Sequence, residues 1–141
     1  MSENELALNI NTINAANVGT MICSIKPNPD DRATSAKIYA AMNDPEFKLA
    51  DFINKKIEIT DYLIEIVDIA NEETGEVSTV PRVVLIDKDG KSYQATSYGI
   101  ANSVRNLCMS VGDAPWTPPL KLEVKQKAIK RGFMLTLKMI P

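Results

Sequence analysis

The chain has 141 residues and a mass of 15.5 kDa, with 45% apolar residues, 24% charged residues and a formal net charge of −2. That length accommodates one domain plus an arm or tail, and no apolar run approaches the roughly 18–20 residues that a membrane-spanning helix needs. Histidine is absent, which excludes histidine-based hydrolase triads and the usual structural zinc sites.

The first residues, Met1-Ser2-Glu3-Asn4-Glu5, lack the positive charge of a secretory signal, and no cleavable apolar segment follows. Cys23 and Cys108 lie far apart and in no C-x-x-C pairing. Both are expected as free structural thiols of a protein that stays in a reducing cytoplasm.

Residues 1–20 are rich in asparagine, lack aromatic residues and show no sustained periodicity; they read as a mobile arm. Met21 to Ile25 fits a short strand, broken by Lys26-Pro27-Asn28-Pro29. Ala33 to Met42 fits either a helix, by its alanines, or a sheet edge, and Asn43-Asp44-Pro45 ends it. From Lys56 to Ile69 apolar residues alternate with a slipped phase: Ile57 and Ile59 share one face, whereas Tyr62, Ile64 and Ile66 have the opposite parity. An extra residue flips every side chain that follows it, so this pattern predicts a long strand with a bulge or sharp bend.

Asn71 to Glu76 is a polar turn and Thr79 to Ile86 the next strand. Asp87-Lys88-Asp89-Gly90 is a hairpin turn, followed by a third strand, Lys91 to Thr96. The period then changes to that of a helix. Ile100, Val104, Leu107, Cys108 and Val111 form one apolar stripe, with Thr96 or Ser97 as its cap and Gly112 just past its end. After the proline-rich stretch Ala114 to Pro119, Leu120, Leu122 and Val124 alternate with charged residues. Beyond a basic turn, Lys127 to Gly132, the residues Phe133, Leu135, Leu137 and Met139 alternate likewise. The fold expected is mainly β: a five-stranded OB-like barrel over residues 21–141 with one helix between strands three and four, preceded by the arm.

Charge is segregated along the chain. Between Glu58 and Asp89 acidic residues face only Arg82 and Lys88, whereas from Lys121 to Lys138 six cations face Glu123 alone. Such a dipolar surface suits a polyanion on one side, although solvated strand faces produce the same pattern. Carboxylate pairs such as Asp30-Asp31 and Glu72-Glu73 fall in turns, and neither a phosphate-cradling glycine loop nor an activated nucleophile is present. The chain therefore reads as a binding protein without cofactor or metal, not as an enzyme.

Four stretches resemble a known family: Ala36 to Asn43, Phe47 to Asn54, Asp89 to Ser97, and Leu122 to Gln126 continuing through Lys130 to Leu137. In order and spacing they are similar to the single-stranded-DNA-binding proteins of phages that infect Gram-positive bacteria. The resemblance implies an OB-like protein that coats displaced strands during phage DNA replication in the host cytoplasm. It also implies tyrosines that stack on bases. The tyrosine of the family's Gly-x-x-Tyr hairpin corresponds to Tyr93, and Tyr62 lies near another but is offset.

Sequence-independent binding needs cations for phosphates and flat rings for bases. The candidates are Tyr93, Lys125, Lys127, Lys130, Arg131, Tyr39, Tyr62, Arg82 and Trp116. Tyr93 also fits a half-buried core position. Trp116 fits equally an exposed platform and a plug on the barrel end. Phe52 and Phe133 follow the apolar alternation and are expected in the core, whereas Tyr98 is a weaker candidate for DNA contact. The acidic stretch after Ile69 argues for a DNA path that avoids that loop. The alternative reading is an interaction module that recruits replication or recombination proteins through its acidic surface and arm, with self-association also in view.

Overall fold

A computed structural model describes residues 18–141. Among them, strands β1 (Met21–Cys23), β2 (Phe47–Lys48), β3 (Lys56–Ala70), β4 (Val77–Asp87), β5 (Ser92–Thr96), β6 (Leu120–Ile129) and β7 (Gly132–Ile140) form a single sheet. The helices are α1 (Arg32–Asn43) and α2 (Tyr98–Val111), and a 3-10 turn spans Leu49–Phe52. The strand order is β2-β5-β4-β3-β6-β7, with β1 added to β3. The sheet thus has seven strands rather than the five expected, and a second helix lies between β1 and β2. The additions are short: β1 was legible as a strand, but the two residues of β2 carry too little pattern to read.

The curl of this sheet begins in β3. The register with β4 shifts between Ile59 and Asp61, at the point where the apolar alternation slips. Because of that extra residue, Ile57 and Ile59 before it and Tyr62, Ile64 and Ile66 after it all enter the same core. The N-terminal part of β3 pairs with β6 (Lys56 opposite Glu123), and its C-terminal part pairs with β1 (Met21 opposite Glu65). One bent strand therefore belongs to both halves of a half-barrel, whose interior is filled by Val83, Leu85, Leu122, Val124 and the apolar stripe of α2.

That stripe is Ile100, Ala101, Val104 and Leu107, all buried. Ser97 caps the helix by accepting from Ile100 N–H, and Gly112, at φ 92°, closes it with its N–H on the Cys108 carbonyl. A second, smaller core lies on the other face of the sheet, where Ala41 of α1 packs with Leu63, Val84 and Ile86. The ambiguous segment before Asn43 is a helix because Asp31 accepts from Ala33 and Thr34 N–H at its start and the second core needs a cover. Cys23 and Cys108 are both free and partly buried. Of the expected arm, residues 1–17 lie outside the described residues. Gly19 and Thr20 are bonded to Ile66 of β3 through both of its backbone groups.

The two ends of the strand order do not pair. β7 bonds to β6 alone, and α2 packs against β7 and β4. The helix approaches so closely that a Cβ at Gly99 would collide with the Leu135 carbonyl oxygen and the Met134 side chain. No helix of the described residues is long and apolar enough to cross a membrane. Gly99→Ala should improve helix propensity by about 1 kcal/mol yet force the helix off the strand, an overpacking cost of about 1–3 kcal/mol. Urea unfolding should register a net loss of stability; a gain would show that the helix–strand approach is looser than described.

Candidate nucleic-acid interface

The aromatic residues divide by depth. The Tyr93 ring, 6% exposed, stacks on Phe47 at 5.4 Å and meets Phe52 edge-on at 5.0 Å. Its hydroxyl donates to Asp87 Oδ2 at 2.9 Å. Asp87 Oδ1 meanwhile accepts from the Asp89 and Lys91 N–H groups, so one carboxylate holds both the turn and the ring. Burial and the adjacent carboxylate push the Tyr93 phenol up to about 12.

Tyr62 donates to Asp113 Oδ1 at 2.8 Å and lies 5.8 Å from the Trp116 ring. Burial first, and then the Asp113 carboxylate, raises its pKa far above the usual phenol range. Trp116, 4% exposed, donates its indole N–H to the Gly112 carbonyl and its backbone N–H to the Thr60 carbonyl. It is the plug on the barrel end, not an exposed platform. The structure thus places Tyr93, Tyr62 and Trp116 in the interior: of the alternatives the sequence left open, Tyr93 takes the core position and Trp116 the plug.

The cations divide in the same way. Arg82 is half-buried, with Nη1 3.4 Å from Glu65 Oε1 and Nε donating to Gln94, so its charge is matched. Lys125 donates to Asn54 Oδ1 at 3.0 Å and lies 3.5 Å from Glu123. Lys127, Lys130 and Arg131 are exposed, and none has an ion-pair partner among the described residues. They stand on the ribbon formed by β6 and β7, whose tight end pairs Ile129 with Gly132 across Lys130 and Arg131. Gly132, at φ 101°, supplies the left-handed residue that such a turn requires. Tyr39 is 66% exposed but sits on α1, over the second core and away from this ribbon's groove.

That groove was not anticipated. It is an open cleft of about 620 Å³ between the end of β5, the start of α2 and the β6–β7 ribbon. Tyr98 and Phe133 line it, 46% and 67% exposed. Tyr98 donates its hydroxyl to the Thr79 carbonyl, which fixes the ring while leaving it in contact with solvent. Phe133 corrects the expectation of a core residue. Its parity is that of Leu135 and Leu137, both partly buried against the core, but it stands opposite Ala128, nearer the exposed tip of the ribbon. Alternation sets the face on which a side chain lies, not whether anything covers it there.

The native state holds the Tyr93 phenol protonated, so its contribution to stability is complete below about pH 10 and is lost as pH rises toward about 12. Tyr93→Phe keeps the ring contacts and removes the hydroxyl. Unfolding at a series of pH values should give a loss of about 1 kcal/mol at neutral pH and a shallower alkaline decline than the parent chain. Parallel declines would refute this assignment.

No curated protein and no solved structure matches the chain. The family model described as phage single-stranded DNA-binding protein matches residues 19–140, which takes in the whole curled sheet, both helices, the unpaired cations of the ribbon and the cleft beside them. The chain belongs to the phage single-stranded DNA-binding protein family.

Proposed function

We propose that this protein coats single-stranded DNA without regard to sequence during phage DNA replication in the host cytoplasm, gripping phosphates through Lys127, Lys130 and Arg131. The family is one of DNA-binding proteins, not of enzymes. The observation that carries the reading is the β6–β7 ribbon, which holds these three cations exposed and unmatched beside an open cleft. Charges already engaged with carboxylates, as in Arg82, have less to offer a phosphate. The curled, mainly β half-barrel is consistent with an OB-like arrangement, in which the loop between the last two strands often meets oligonucleotides.

The contacts proposed go to the backbone and carry no base preference. Affinity should therefore fall with salt by a slope of about 0.7 per phosphate engaged on a single strand. Replacing Lys127, Lys130 and Arg131 together by alanine should reduce that slope by about 2 and weaken oligo-dT binding at every salt concentration. An unchanged slope in a titration series would place the phosphates elsewhere. Mixed-sequence and oligo-dT strands of one length should bind alike.

We also retain a second reading for the far end of the β3–β4 hairpin, as a surface that recruits a replication protein. Ile69 and Val77 are exposed there among Asp68, Glu72, Glu73 and Glu76. Apolar residues framed by carboxylates suit a basic partner protein and not a nucleic acid.

A further inference from the structure

We propose that the cleft between the start of α2 and the β6–β7 ribbon is the base-binding site, in which Phe133 and Tyr98 stack unpaired nucleobases. The proposal rests on the single-strand-binding reading and moves the bases away from Tyr93, the position to which the family likeness points. Phe47, Phe52 and Tyr93 pack on one another, and Tyr62 packs with Trp116. Tyr39, Tyr98 and Phe133 are the aromatic rings with open surface, and of these Tyr98 and Phe133 line one cleft.

The surroundings select a base. The residues lining the cleft include no carboxylate, in a chain whose acidic residues outnumber its basic ones, 18 to 16. Lys48 stands on the rim contributed by β2, and Lys130 and Arg131 form the turn between Ile129 and Phe133 on the other. Phosphates flanking a base in the cleft would meet cations on both sides. The side chains of Ala50 and Ala95 are small, so a flat ring can approach there without displacing a bulky neighbour. Tyr98 is already fixed through its hydroxyl on Thr79, and a platform ordered before binding loses little freedom when a base stacks on it. Phe133, Ile129 and Tyr98 are all exposed and line this one cleft, so the ring belongs to an apolar patch and is not a lone surface residue.

The test compares the full-length parent chain with Phe133→Ala, Phe133→Leu and Phe133→Trp. The ligands are oligo-dT and a deoxyribose-phosphate oligomer of the same length that lacks bases. Phe133 is exposed, so these variants should keep the fold, which circular dichroism checks. Phe133→Ala and Phe133→Leu should lose about ten- to a hundredfold in affinity for oligo-dT, with the salt slope unchanged and binding of the abasic oligomer unaffected. Phe133→Trp should retain affinity and show fluorescence quenching by oligo-dT beyond that of the parent.

Equal losses for both ligands, or no loss for either, would overturn the proposal while leaving single-strand binding in place. If Phe133→Ala instead lowered the molar mass of the DNA-free protein without altering oligo-dT affinity, the cleft would be a docking surface for a second copy, and the proposal would fail. Failure of the parent chain to bind either ligand would remove the underlying reading itself.

Discussion

The backbone at Thr60 decides how the rest of the chain packs. The extra residue there turns Tyr62, Ile64 and Ile66 toward the same interior as Ile57 and Ile59, and it sends Leu63 to the opposite face, where α1 covers it. A bulge also leaves a carbonyl outside the ladder. Here the Thr60 carbonyl accepts the backbone N–H of Trp116 at 2.9 Å, which sets the indole against Tyr62. The Tyr62 hydroxyl in turn holds Asp113, whose same oxygen accepts the Ala114 N–H. Closing the barrel end and arranging the proline-rich return thus follow from one irregularity in one strand.

Closure at that end contrasts with the opening at the other. β7 has no second strand partner, and against it packs a helix whose approach depends on the missing side chain of Gly99. A helix satisfies its own backbone, so it can lie against a strand edge without completing the ladder; Ser103 supplies one acceptor, for the Leu137 N–H. Beyond the start of α2 no described residue covers the edge, and the cleft is what remains. Rings at the closed end are buried in the core, whereas Tyr98 and Phe133 at the open end stay exposed. The Phe47–Phe52–Tyr93 cluster gives the open end a rigid base.

Much of this was legible in the residues. The phase slip between Ile59 and Tyr62 marked the bulge, the stripe from Ile100 to Val111 marked the helix, and Ser97 and Gly112 marked its limits. The free cations Lys127, Lys130 and Arg131 lie on the ribbon that the basic turn predicted. The failures share one cause, since pattern reports a side chain's local face and not the depth of material above it. Phe133 has core parity and no core above it, whereas for Tyr93 and Trp116 the residues left burial and exposure both open, and tertiary packing buries them. The groove joins Tyr98 to Phe133 across 35 positions of sequence, and only the curl of the sheet brings them together.

The segregation of charge acquires a geometric meaning from this arrangement. Tyr98 anchors to Thr79, and Thr79 also donates its hydroxyl to Asp68. The cleft therefore borders the foot of the β3–β4 hairpin, whose turn carries Glu72, Glu73 and Glu76 without ion-pair partners among the described residues. Closer in, Glu65 is matched by Arg82. A strand lying in the cleft meets cations along the ribbon and unmatched carboxylates past Tyr98. At physiological salt such repulsion is felt within about 8 Å. The net charge of −2 is then compatible with DNA binding, because no described residue lining the cleft is a carboxylate.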